Sequence, residues 1–201
     1  MKLWHRLNID ISNAVKIDVW DYLNNDPDSK HYNSMWVETP EGNGGVWSLP
    51  PHVIFHQEWC DYMLHTFGAP VATAQMFQRW PYYQHPQAHK DTYLDGAVIQ
   101  EGAINWCIGE DAADHLWFAD PSDDVKPVLQ KRSEIDIDLS YPLEGLVELD
   151  RVNIGSTPTL VHTGVLHTIE MRHTHRLSCS VRFEGIITWP QHLEHFAEAI
   201  Q

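Results

Sequence analysis

Residues Gln84 to Trp106 read QHPQAHKDTYLDGAVIQEGAINW. Within them, His89-Lys90-Asp91 sets a histidine and a carboxylate two positions apart. On a β-strand, residues i and i+2 face the same way. His89 and Asp91 are therefore expected to approach one ion from one side. A third ligand must come from a distant segment, and the best-placed candidate is His167 in LVHTGVLHTIEMRHTHRLSCSVRF, residues 160–183. Two imidazoles and a carboxylate with the remaining positions open form the ligand set of a non-haem Fe(II) site. A double-layered β architecture is the scaffold that lets ligands so far apart in sequence meet in one mouth.

Working outward, the texture is β from Pro70 onward. Val71–Trp80, Ala103–Ile108, His115–Ala119, Leu146–Val152, Pro158–His162, Val165–Met171 and Arg176–Thr188 read as strands. Ile135–Leu139 alternates strictly and suggests a half-exposed strand. Short strands at this spacing predict a sandwich or barrel. The expected fold class is mainly β (α+β), a jelly roll with a few flanking helices. The whole chain, 1–201, is expected to be one domain. Its core is placed at about 70–188, after an N-terminal strand and helix region at 1–69 and before a short C-terminal helix at 190–200. In the N-terminal region, Leu7, Ile9 and Ile11 alternate as an early strand, and Glu41–Gly45 reads as a loop. A helix is expected to start at Pro50-Pro51 and stop at Gly68.

The formal charge is −15, from 13 Lys+Arg against 28 Asp+Glu. That balance argues against binding nucleic acid or an anionic membrane through a broad basic face. Three scattered cysteines, Cys60, Cys107 and Cys179, form no CxxC pair and read as small apolar residues of a reduced protein. No window approaches the run of about 18 apolar residues that spans a bilayer. The start of the chain lacks a signal-peptide pattern, so a cytoplasmic location is expected. The 14 histidines are too many for ligands to be chosen by residue type alone.

Arg176-Leu177-Ser178 follows His167 and puts a guanidinium and a hydroxyl on one strand face. A guanidinium fork matches a carboxylate bidentately, and the hydroxyl adds a neutral donor. The pair can anchor the distal carboxylate of a dicarboxylic acid whose other end chelates the metal. In an acidic protein, a buried arginine needs an anion.

With these segments assembled, the chain resembles the Fe(II)/2-oxoglutarate-dependent oxygenases of the double-stranded β-helix fold, in particular small phage-like or prolyl-hydroxylase-like members. The resemblance rests on HKD at 89–91, AINW at 103–106 with Trp117-Phe118 behind it, and HTIEMRHTHRLSCSVRF at 167–183. It covers roughly residues 70–187. It implies Fe(II) on His89, Asp91 and His167, and 2-oxoglutarate on Arg176 and Ser178, with Asn105 a further contact. It also implies O2 as the oxidant, succinate and CO2 as co-products, and hydroxylation of a small molecule or a protein side chain. Gln75, Arg79, Tyr82, Tyr83 and Trp106 flank the inferred mouth and are candidates for its lining. His162 is a rival for the distal ligand, but Thr163-Gly164 fits the turn expected before that ligand and favours His167. Arg182 shares strand parity with Arg176 and is its rival as anchor, with a structural salt bridge as the other role open to it. Two further readings make different demands. A cupin-like metalloenzyme without 2-oxoglutarate more often presents HxH and a Glu, whereas a non-catalytic β-sandwich binding module needs no iron site and no inward Arg176.

Overall fold

Alternating apolar positions make strands the commonest regular element of this chain. The computed structural model describes residues 1–39, 42–80, 87–91, 100–109, 112–131, 137–171 and 175–201, with the backbone course alone at 34–39, 42–43, 129–131 and 137–139. In chain order the N-terminal part holds β1 (Trp4–Arg6), α1 (Val19–Asn25), a 3-10 turn (Pro27–Tyr32), β2 (Asn33–Thr39), β3 (Gly42–Leu49), α2 (Pro51–Ile54) and α3 (Gln57–Phe67). There follow β4 (Val71–Arg79), β5 (Gln87–His89), β6 (Gly102–Cys107), β7 (Ala113–Phe118), β8 (Val128–Lys131) and β9 (Ile137–Pro142). The chain closes with β10 (Glu148–Ile154), β11 (Thr159–His162), β12 (His167–Met171), β13 (Arg176–Phe183), α4 (Trp189–His195) and a last 3-10 turn (Ala197–Ala199). The protein is mainly β, with two antiparallel sheets. One has the order β1-β11-β6-β13-β4-β3-β2, the other β10-β7-β12-β5-β9-β8. Among the described residues, no helix is long and apolar enough to cross a membrane.

Strand parity separates two environments in the seven-stranded sheet. Leu177, Cys179, Val181 and Phe183 of β13 join Met76 of β4 and Trp106 of β6 in the main core, beneath the helices. On α3, Trp59, Met63 and Phe67 recur every fourth residue, which is the spacing of one buried helix face. Phe55, Trp59 and Trp106 form an aromatic cluster with centroids 4.7–6.4 Å apart. Each such side chain stabilises by roughly 1.5–3 kcal/mol when fully buried. The opposite face of the same sheet looks toward the six-stranded sheet. There Ala103 and Val161 pack on Trp117, Val152 and Ile154.

Several expectations are corrected. The helix expected from Pro51 to Gly68 is two helices. Phe55 is extended and bridges Val15, and the His56 N–H donates to Ala14 O at 3.0 Å, so this backbone pairs sideways instead of helically. Gly68 does end α3, at φ 60°, with its N–H reaching back to the last helical turn. Residues 42–45, expected as loop, belong to β3, which pairs with both β2 and β4. Gly44 serves close packing there, since a Cβ would overlap the Trp80 ring. The early strand at Leu7–Ile11 is displaced to Trp4–Arg6. The start of the Ile135–Leu139 alternation lies outside the described residues; its end opens β9.

Candidate metal centre

His167 opens β12, which lies between β5 and β7 in the six-stranded sheet. It is the register partner of His89 on one side and of Trp117 on the other. The Thr168 hydroxyl donates to Gln87 O at 3.1 Å and ties the two ligand-bearing strands together. The His89 and His167 rings are 4.7 Å apart between centroids. His167 Nδ1 lies 2.9 Å from Val165 O. A carbonyl can only accept, so Nδ1 carries the proton and Nε2 keeps its lone pair for an ion.

Asp91 is positioned by different means from those the i, i+2 rule suggests. Strand β5 ends at His89, and Asp91 lies in a bend beyond it. Its N–H donates to Thr163 O at 3.1 Å, which anchors it to the turn before β12. Asp91 Oδ1 is 3.6 Å from His89 Nε2 and 4.0 Å from His167 Nε2. These three residues offer one ligand atom each, all within 4.8 Å of one another, and could hold a metal ion. Ligands about 2 Å from an ion and at right angles are roughly 3 Å apart, so a modest inward adjustment closes the site. The donor chemistry fits iron: two imidazole nitrogens and one carboxylate oxygen.

The second oxygen of Asp91 is already occupied. Arg182 Nη2 donates to Oδ2, while Nη1 reaches Thr163 Oγ1 at 3.0 Å and Gly102 O at 3.2 Å. The Thr163 hydroxyl passes its own proton to Gln100 O at 2.8 Å. Asp91 can therefore offer a metal one oxygen. Burial alone would raise its pKa, but the Arg182 guanidinium, helped by His167 and His89, holds the carboxyl well below the ordinary range. Arg182 thus takes the salt-bridge role open to it, and its partner is a candidate ligand. His162 does not join the group. It ends β11, stacks on Trp189 at 4.7 Å and 10°, and accepts from the Gly164 N–H.

Arg176 is 4% exposed. Its Nε–H donates to Cys107 Sγ at 3.1 Å, and among the described residues it has no carboxylate partner. Ser178, two residues on and facing the same way, is 3% exposed, with no hydrogen-bond partner for its hydroxyl among the described residues. Asn105 is the register partner of Ser180 and lies on the inter-sheet face; its Oδ1 is buried without a partner among the described residues.

The lining candidates divide. Gln75 and Arg79 share the inter-sheet face of β4, Arg79 as the register partner of Arg176, with its Nη1 donating to Gly45 O and Gln78 O. Trp106 does not line the mouth. One position out of phase with Asn105, it points into the helix-covered core. Tyr82 and Tyr83 lie outside the described residues. Sequence reasoning missed His115, which stacks on His167 with centroids 4.9 Å apart. Burial, then electrostatic interaction with His167 and Arg176, pushes its pKa well below the ordinary histidine value. Its signal was a lone histidine inside the apolar run HLWF. No protein-family model matches the chain, and no curated protein sequence matches it.

Proposed function

We propose that this protein is an Fe(II)- and 2-oxoglutarate-dependent dioxygenase that hydroxylates a small molecule or a protein side chain. The observation that carries the reading is Arg176. A guanidinium buried in a strongly acidic chain without a carboxylate partner among the described residues calls for an anion from outside. It shares the inter-sheet space with a two-histidine, one-carboxylate group.

The strand order supports the fold part of the proposal. Along the chain, β4, β5, β6 and β7 alternate between the sheets, and so do β10, β11, β12 and β13. Such alternation winds the chain around one interior, as in a double-stranded β-helix. The ligands then come from β5 and β12 in one sheet and the anion seat from β13 in the other.

When bound, iron with O2 and 2-oxoglutarate supplies the oxidation, the co-substrate leaving as succinate and CO2. The chain's own residues do the rest. His89 and His167 present nitrogen lone pairs, and Asp91 presents one oxygen. Arg182 keeps that carboxylate ionised and turned toward the histidines. Arg176 and Ser178 bind the distal carboxylate, the guanidinium by charge and the hydroxyl as a neutral donor. Trp117, Ala103 and Val161 keep the neighbouring interior dry.

The test is anaerobic addition of Fe(II) with and without 2-oxoglutarate, following the weak visible charge-transfer band of the chelate. The band is expected in the wild type, absent in His167→Ala and weakened in Arg176→Ala. Metal binding without any response to 2-oxoglutarate would refute the reading.

A further inference from the structure

His115 is 3% exposed, and neither of its ring nitrogens has a hydrogen-bond partner among the described residues. Its ring stacks on Trp117 (centroids 4.3 Å, 20°) and on His167 (4.9 Å, 24°), which fixes the plane and leaves the nitrogen edges unmet. A histidine buried only for packing normally bonds at least one nitrogen. His192 does so to Thr188 O, at 2.9 Å. A neutral imidazole brings one N–H donor and one lone pair, and burying both without partners is unfavourable.

Arg176 reaches the same region from the opposite sheet. Its Nε–H rests on Cys107 Sγ, which in turn donates to Ile154 O at 3.1 Å. Ile154 is the register partner of Ala113, two residues from His115 on the same face of β7. His115 therefore stands between His167 and the Arg176 end of the inter-sheet space.

We propose that His115 donates a hydrogen bond to the distal carboxylate of the dicarboxylic co-substrate seated on Arg176 and Ser178, and thereby selects a dicarboxylate over a monocarboxylic 2-oxo acid. The assignment rests on the reading of Arg176 given above. A neutral donor completes the anion seat without adding a second positive charge to a closed space. A monocarboxylic 2-oxo acid would leave both the guanidinium and the imidazole N–H unmet, which is a strong source of discrimination.

The test is calorimetric titration of the full chain loaded with Mn(II), using 2-oxoglutarate and 2-oxobutyrate. In His115→Leu the dissociation constant for 2-oxoglutarate should rise about tenfold or more, the range for losing a hydrogen bond to a charged group. Binding of Mn(II) and of 2-oxobutyrate should stay within about twofold of wild type. His115→Gln or His115→Asn, which keep an N–H, should recover part of the loss. In the unmutated protein loaded with Zn(II), the His115 imidazole nitrogen resonances should move with 2-oxoglutarate and not with 2-oxobutyrate; this readout needs no variant to fold. Unchanged 2-oxoglutarate affinity in His115→Leu overturns the assignment. So does an equal loss for both acids, which marks a packing role beside His167. If wild type holds Mn(II) but binds neither acid, the reading of Arg176 falls first, and the assignment with it.

Discussion

Replacing Arg182 with methionine leaves the Asp91 carboxylate in place and removes the charge that stabilises it. Three hydrogen bonds go at once: to Asp91 Oδ2, to Thr163 Oγ1 and to Gly102 O. Breaking a fully buried ion pair from one side costs about 3–5 kcal/mol. Here the two side chains keep 14% and 17% exposure, and two imidazoles still face the carboxylate, which lowers the expected loss to about 2–4 kcal/mol. For a domain of this size that is a fall in Tm of about 5–15 °C. The sign with pH follows from Asp91. Its folded pKa is depressed in the wild type, so its contribution is present above the unfolded value of about 4 and lost as pH falls through the lower folded value. In the variant, burial dominates and the pKa rises, so the gap between the proteins should be widest at neutral pH and narrow below about pH 4. Urea unfolding in EDTA measures the gap, and saturating Mn(II) should narrow it, because an ion beside Asp91 replaces the lost charge. In a double-mutant cycle with Asp91→Asn, the coupling should be about 2 kcal/mol or more. A metal-free gap under about 0.5 kcal/mol at pH 7, or strict additivity in the cycle, would refute the reasoning.

Arg176→Met should leave metal-free stability unchanged or raised, because a buried charge without a carboxylate partner among the described residues is removed, while 2-oxoglutarate affinity falls by about a hundredfold; paired thermal melts and calorimetry check both halves. His115, His162 and His192 all have pKa values lowered, with burial the first cause. The unfolded chain therefore takes up protons that the fold refuses, and metal-free stability should drop by more than about 1 kcal/mol per pH unit below about pH 6.5, as read by urea midpoints. Gly102→Ala sets a Cβ 2.7 Å from the His192 ring, beneath α4, and should destabilise by about 1–3 kcal/mol in chemical denaturation.

The β-rich texture from Pro70 onward and the pairing of His89 with His167 were legible because they rest on short-range periodicity and on residue chemistry. The partner of Arg182 was not, since it depends on Asp91 turning past the end of β5 and on a distant Thr163. Trp106 was misplaced because strand boundaries fix parity, and a phase error of one residue exchanges the two faces of a sheet. The hairpin of β2 and β3 was hidden by Gly44-Gly45, which reads as a turn, although the small size of Gly44 answers packing against Trp80. His115 was overlooked because an apolar neighbourhood suggests core, and only the folded arrangement shows that neither nitrogen has a partner among the described residues.

The three candidate ligands are held with unequal stiffness. His89 and His167 sit on paired strands, His167 between two neighbours, whereas Asp91 hangs from a bend by one backbone contact and one guanidinium. An ion bound here has one soft side. A swing of the carboxylate, rather than opening of the sheet, would release such an ion, so dissociation should be fast compared with global unfolding and indifferent to low concentrations of denaturant. The same asymmetry would let the carboxylate shift to suit an incoming ion while the two imidazoles keep their direction.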